Sequence, residues 1–289
     1  MALAASELIL NADGSIYHLN LLPEDIASTI ILVGDPDRVA KVSAYFDRIE
    51  LKKGKREFLT HTGWYNHKRI SVVSTGIGTD NIDIVLNELD ALVNIDLGTR
   101  NVKPSLTALE FVRIGTSGAI QTDIAIDSFL MSEYGIGLDG LLHFYDVAAT
   151  PETTFQEALT AHLGWQEKNI APYVFKCDDS LKEKLVSNRI RLGVTVTNAG
   201  FYGPQGRTLR LQNGVTDFHE KLGSFRFEHM RLTNLEMETA AIYGLSALLG
   251  HKAISMNVIL ANRTTGMFSK NPAASMNSLI QYCLHAITA

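Results

Sequence analysis

The chain has 289 residues, 46% hydrophobic and 20% charged, with 26 Lys plus Arg against 31 Asp plus Glu for a net charge of −5. That length without a linker-like change in composition favours one α/β domain over residues 1–289, and the negative balance excludes a global attraction to nucleic acid or to an anionic membrane. No apolar run approaches the roughly 18 residues of a membrane-spanning helix, and Cys177 and Cys283, with no CxxC spacing, suggest neither a disulfide framework nor a thiolate zinc site and suit a reducing cytoplasm.

Met1 to Asn11 carries an apolar patch but no basic n-region and no long apolar core, so it does not read as a signal peptide. Ile30 to Val33 is a β-branched run ending at Gly34; Asp35 then suits a helix N-cap and Pro36 the first helical position. A second run, Ile70 to Thr75, ends in Gly76-Ile77-Gly78, after which Ile82, Val85, Leu86, Leu89, Leu92 and Val93 recur at helical spacing. A polar connection containing Gly98 and Pro104 leads to a buried strand at Phe111 to Gly115, and Phe129 to Tyr134 reads as another. Ile190 to Val196 alternates as a strand, and Ala253 to Ala261 is apolar enough for a central one. Met237, Ala240, Ala241, Gly244, Leu245 and Leu248 form one helical stripe and Met276 to Ile287 the last. Strands alternating with helices imply a central mixed, largely parallel sheet covered on both faces, a three-layer α/β/α sandwich. Ligands of such sheets lie beyond the carboxyl ends of strands, which directs attention to the segments after Val33, Thr75, Ile114, Val196 and Leu260.

Gly76-Ile77-Gly78 follows a strand and opens a helix, but the third glycine of a dinucleotide fingerprint is missing, and a tight turn explains it better. Arg38 falls in the first turn of a helix, where a cation opposes the macrodipole unless it shares an anion with the helix N-terminus. Arg113 lies inside an apolar strand next to Gly115 and Thr116, where an unpaired guanidinium would be costly. An anion site at Gly34, Arg38, Arg113 and Thr116 and ordinary ion pairing account equally well for these residues. Leu235 to Thr239 reads as the opening of a helix, with Glu236 and Glu238 pointing in different directions, so that one serves the helix while the other accepts from a vicinal diol. The Phe201 to Arg207 loop carries an aromatic face, the Gln205 amide and the Arg207 guanidinium, a set that suits a planar heterocycle and equally a plain polar turn.

Gly34-Asp35-Pro36-Asp37-Arg38, Arg56-Glu57-Phe58, Ser74 to Gly78, Arg113 to Gly118, Phe201 to Arg207 and Glu236-Met237-Glu238 occur in one order along the chain. Together they resemble the nucleoside phosphorylase family of the purine nucleoside and uridine phosphorylase type, over nearly the whole chain from Tyr17-His18-Leu19 to Asn262-Arg263-Thr264. The resemblance implies nucleoside and inorganic phosphate as substrates. It implies phosphate held by Gly34, Arg38, Arg113, Gly115 and Thr116, with Arg56 reaching in from a neighbouring subunit. It implies ribose held by Met237 and Glu238 with the neighbour's His18 near the 5′-hydroxyl, and the base held by Phe201, Gln205 and Arg207 with Arg263 behind them. Catalysis would then rest on Arg113, Gln205, Arg207 and Glu238, in a homodimer or a hexamer built from dimers. No organic cofactor is implied. Some members bind a monovalent cation through a Glu matching Glu57, which makes potassium a candidate there, although Asn81 stands where a serine is expected. Leu235 replaces an aromatic of several relatives, and the connection from Asn94 to Glu110 is longer than in compact bacterial members.

The implied chemistry is cleavage of an N-glycosidic bond, in which anionic phosphate stabilises and then captures an oxocarbenium-like sugar. A pyrimidine leaves as a delocalised anion, which Arg207 and Gln205 would stabilise. A purine needs an acid near N7, and Ala261-Asn262-Arg263 offers a neutral Asn where purine-specific bacterial relatives carry an Asp, so uridine is the expected substrate. The rivals are a purine phosphorylase, a nucleosidase, whose mark would be loss of the arginine set, and a non-catalytic nucleoside-binding protein, whose mark would be loss of Glu238.

Overall fold

Ile30, Ile31, Leu32 and Val33 are fully buried, as a strand needs to be when sheet neighbours and covering helices enclose it on all sides. They belong to β1 (Thr29–Val33) of the chain's computed structural model, which describes residues 2–147, 152–166 and 171–289. Helix α1 (Pro36–Ser43) follows with Pro36 at its first position, and the Asp35 side chain accepts from the Asp37 N–H as its cap. β2 (Arg48–Lys55), β3 (Phe58–Tyr65) and β4 (Lys68–Ser74) make an antiparallel meander that leads into α2 (Thr79–Asn94). The hydrophobic reading found β4 and α2 but not β2, a sheet edge whose mostly polar residues conceal its alternation.

The long connection before the next core strand contains a small hairpin, β5 (Ile95–Asp96) with β6 (Asn101–Val102). Leu3 N–H donates to the Arg100 carbonyl, and Arg100 Nη1 donates to the Leu8 carbonyl, so this insertion ties down the start of the chain. β7 (Glu110–Ala119) and β8 (Phe129–Gly137) follow. After them come α3 (Thr153–Leu163), β9 (Tyr173–Lys176), α4 (Asp179–Leu185) and β10 (Ile190–Thr197). The chain ends with α5 (Phe218–Ser224), β11 (Arg226–Phe227), β12 (Met230–Glu236), α6 (Thr239–Leu249), β13 (Lys252–Asn262), β14 (Met267–Phe268) and α7 (Pro272–Thr288).

The main sheet runs β11-β12-β10-β8-β13-β7-β1-β4-β3-β2, with β9 added to β8 and β14 to β13. Two parallel blocks make its centre, β13-β7-β1-β4 and β8-β10-β12, and they join antiparallel at β13 and β8. The expected mixed α/β sandwich is thus present: α1 packs on β3 and β4, α6 on β8, β10 and β13, and α7 on β7 and β13. One feature lies outside that expectation. The last residues of β12 turn back onto the last residues of β7, pairing Asn234 with Ala119 and Leu235 with Gly118 antiparallel, so five strands close into a ring.

The largest apolar cluster runs from the β1 and β7 strands through Leu86 and Leu89 of α2 to Leu279 and Cys283 of α7. A second cluster, including Phe155, Trp165, Val196 and Phe218, fills the space under α3 and α5. Cys177 and Cys283 are both free and buried, and burial pushes their thiols up, Cys177 to about 12. No described helix is long and apolar enough to cross a membrane.

Candidate active site

A cavity of about 790 Å³ opens where the carboxyl ends of several strands meet. Its wall includes Gly34 and Arg38 after β1, Gly76 and Ile77 after β4, Gly115 to Gly118 at the end of β7, Phe201, Gln205 and Arg207 after β10, and Leu260 and Ala261 near the end of β13. These are the five segments singled out from the strand pattern. A sixth, Leu235 to Glu238 across the end of β12, joins them because β12 closes on β7. The glycines allow the loops to converge. A Cβ at Gly34 would lie 3.3 Å from the Gly76 carbonyl oxygen, and Gly76 and Gly78 themselves hold φ of 72° and 98°.

Arg113 is the centre of the charge arrangement. Its side chain is 8% exposed, and Nη2 meets Glu238 Oε2 at 2.5 Å and Glu236 Oε2 at 3.1 Å. Burial works against its charge, but Glu236 and Glu238 outweigh that and hold the guanidinium above its ordinary value. The group lies along its own strand over Gly115, where a Cβ would fall 2.1 Å from Nη1, so only glycine leaves it room. Arg38 donates to the Ile114 carbonyl, next to Arg113 on β7, at 3.2 Å. Burial first, and then the like charge of Arg113, push Arg38 below its ordinary value. Two partly desolvated cations facing one space repel each other, and an anion between them relieves both costs. Arg113 thus takes the carboxylates, while Arg38 has no carboxylate at ion-pair distance among the described residues.

The two glutamates divide the work in a way the sequence only half conveys. Glu236 ends β12 and does not open a helix; α6 begins at Thr239, which leaves Met237 outside it. Glu236 Oε2 nonetheless accepts from the Glu238 and Thr239 N–H groups and the Thr239 hydroxyl, while Oε1 accepts from Thr197. Burial and the neighbouring Glu238 raise its pKa against the pull of Arg113. Glu238 accepts from the Gly78 N–H at 2.9 Å and from Arg113, which ties the glycine turn to the cation. The expectation that the two side chains diverge is corrected here, since both reach Arg113 Nη2; the chain bends between strand and helix, and the i, i+2 geometry of a helix does not apply.

From Arg113 a buried polar chain crosses the ring of strands. Arg113 Nη1 donates to Asn257 Oδ1, Asn257 to Ser132, Ser132 pairs with Thr195, Thr195 donates to Asn234, and Asn234 donates to Ser117. Ser117 is again a wall residue. Such a satisfied network fixes orientation more than it adds stability. The sequence reading missed Asn257 and Ser255, both of which accept from Arg113. Their alternation inside the apolar β13 run was the available sign.

On the same cavity wall Arg207 lies 3.7 Å over the Phe201 ring and donates to Gln205 Oε1 at 2.7 Å. Burial, and then Arg263, push Arg207 down to about 10, still a cation at neutral pH. Gln205 is 3% exposed and is held with its carbonyl oxygen toward Arg207. Thr116 and Met237 also line the cavity.

Three expected residues are not part of this wall. His18 Nδ1 pairs with Glu88 at 2.7 Å, and Arg56 sits at a tight turn with φ of 57°; one chain does not bring either to the cavity. Arg263 lies behind the wall, its stem against Gly118 and its Nη2 bonded to His219, a residue the sequence reading did not single out. Glu57 does line the cavity, next to Asn81, and no group of three or more His, Cys, Asp or Glu side chains gathers among the described residues as a metal site would need.

The model of the phosphorylase superfamily matches residues 28–283. The uridine phosphorylase of Thermococcus kodakarensis is 31% identical over 258 residues, covering 89% of this chain and 81% of the relative. That of Escherichia coli is 30% identical over 254 residues, covering 86% and 87%. Among solved structures, Trypanosoma brucei nucleoside phosphorylase, whose structure shows uridine phosphorylase activity, superimposes with a TM-score of 0.88 at 27% identity, covering 98% of this chain and 100% of that one. By the extent of these matches the chain belongs to the phosphorylase superfamily.

Proposed function

We propose that this protein is a pentosyltransferase that splits uridine with inorganic phosphate, giving uracil and ribose 1-phosphate, and that it accepts the corresponding deoxyribonucleosides to an extent the assay below measures. The observation that carries the reading is that one cavity wall gathers Arg38, the Arg113–Glu238 pair and the Arg207–Gln205 pair. The similarity to uridine phosphorylases supports the choice of substrate.

In this reading phosphate lies between the Gly34 backbone, Arg38, Arg113, Gly115 and Thr116. Its negative charge satisfies Arg38, which burial and the like charge of Arg113 push below its ordinary value, and it faces C1′ as the glycosidic bond lengthens. Glu238, whose carboxylate has lone pairs beyond those used by Gly78 and Arg113, accepts from the ribose diol beside Met237. The bond's electron pair passes into the uracil ring, where Arg207 and Gln205 donate hydrogen bonds to the oxygen that becomes negative, stacked against Phe201. Phosphate oxygen then bonds to C1′. Asn262 favours this route over purine cleavage: its amide donates to the Gln121 and Ile124 carbonyls and accepts from Thr264 and Thr265, so it has no proton to give a purine N7.

The reading includes a homodimer or a hexamer built as a trimer of dimers in the reducing cytoplasm, since His18 and Arg56 would have to come from a neighbouring subunit. Potassium at Glu57 would likewise need oxygen donors from a second subunit, and no step depends on it. Incubating the protein with uridine, thymidine, inosine and adenosine, with and without phosphate, tests the proposal. Phosphate-dependent release of uracil supports it; turnover unaffected by phosphate, or a preference for inosine, overturns it.

A further inference from the structure

His219, in the first turn of α5, stands outside the cavity wall but touches two segments that shape its base end. Its Nε2 accepts a hydrogen bond from Arg263 Nη2 at 2.9 Å. Its ring also lies against the loop backbone, because a Cβ at Gly206 would fall 2.7 Å from the same nitrogen, and Gly206, with φ of 68°, is flanked by Gln205 and Arg207. Arg263 in turn lays Cγ and Cδ against Gly118, whose missing side chain would sit 3.7 and 3.8 Å from them. Its Nη1 is buried without a protein partner. One arm of this guanidinium is therefore anchored, and the other keeps a donor without a protein partner.

We propose that His219 is a positioning residue for the base subsite: its imidazole lone pair fixes Arg263 while its ring braces Gly206, and so sets Gln205 and Arg207 for the pyrimidine. The inference rests on the uridine reading and adds to it the residue that places the base-recognition groups. Only a neutral imidazole can accept from a guanidinium. Burial, then Arg263 and then Arg207, push His219 below its ordinary pKa, which keeps that form present at neutral pH.

Steady-state kinetics of His219→Leu and His219→Gln, with uridine and phosphate varied separately, test the assignment. Gln can accept from Arg263 and Leu cannot. The Leu variant is expected to raise the KM for uridine roughly tenfold, the size expected from losing one charge-assisted contact, with the KM for phosphate within about twofold of wild type, and the Gln variant is expected to recover most of the loss. A parallel rise in both KM values, or equal damage from Leu and Gln, overturns the proposal. A crystal structure of His219→Leu reads the same point without turnover: a displaced Arg263 guanidinium supports the assignment and an unmoved one overturns it, whichever nucleoside is cleaved. Wild-type protein that leaves uridine intact would count against the substrate reading alone.

Discussion

Glu238 and Arg113 meet at 2.5 Å at the floor of the cavity, and the other oxygen of Glu238 holds the Gly78 N–H. One carboxylate thus joins the strand that carries the cation to the glycine turn that opens α2. Its removal should be felt in both stability and turnover, and the two effects can be separated. Breaking a buried pair by deleting one partner costs about 3–5 kcal/mol, so Glu238→Ala should lower unfolding free energy by about that amount in urea titrations. Glu238→Gln keeps an acceptor and should cost less, yet both variants should lose about 10²-fold in kcat/KM for uridine. Near-normal turnover by Glu238→Gln would leave Glu238 with a structural role only.

Arg38 and Arg113 burden each other when no anion lies between them, since burial and the like charge both push Arg38 down. Replacing Arg38 with Met should therefore raise the melting temperature in phosphate-free buffer. Phosphate should stabilise the wild-type protein, by about 2.7 kcal/mol at a hundredfold excess over its Kd, and should not stabilise Arg38→Met. Equal phosphate-induced shifts in the two proteins would remove Arg38 from the anion site.

Arg207 stacks on Phe201 and donates to Gln205, a geometry suited to a charge that develops on the leaving base. Arg207→Ala should slow uridine cleavage about 10²-fold or more while leaving the phosphate-induced melting shift intact. If active sites are shared, mixing inactive Arg207→Ala and Arg56→Ala subunits after mild dissociation should restore activity, because some mixed sites regain both arginines. Failure to restore activity in a confirmed mixed oligomer would argue that each chain completes its own site.

His61 is buried with its Nδ1 2.7 Å from Ser43 Oγ, and burial, followed by Lys52, pushes its pKa below the ordinary value. In the unfolded chain it takes a proton as pH falls through about 6.5, while the folded chain resists. The unfolded state then binds more protons, so this contribution is complete above about pH 6.5 and is lost as pH falls toward the depressed folded value. Melting temperatures from pH 7.5 to 5.5 should fall less steeply for His61→Asn than for wild type. An unchanged slope would show that His61 titrates alike in both states.

Gly137 backs onto the ring of the buried Tyr173, where a Cβ would lie 2.0 Å from Cζ. Gly137→Ala should destabilise by about 3 kcal/mol, at the upper end of overpacking costs, because Tyr173 is also held by both oxygens of Asp139. A urea midpoint close to wild type would mean that the ring has somewhere to go.

The alternation of apolar runs and glycine turns was enough to find β1, α1, β4, α2, β7, β10, β13 and α7, because buried strands and amphipathic helices write their environment into local periodicity. The same reading located five of the six segments that line the cavity, since glycine and short polar residues at strand ends mark where backbone must approach backbone. It did not reveal β2, whose pattern is that of a polar edge, nor that Glu236 closes a strand, because a carboxylate near a helix start looks alike on either side of the boundary. What only the folded chain decided is the partnership: β12 returning onto β7 brings Glu236 and Glu238 to Arg113, and α5 brings His219 to Arg263. Each of those pairs joins residues distant in sequence, and their energies come from the low dielectric and fixed geometry of a shared interior. Local composition carries no trace of either until the strands have closed.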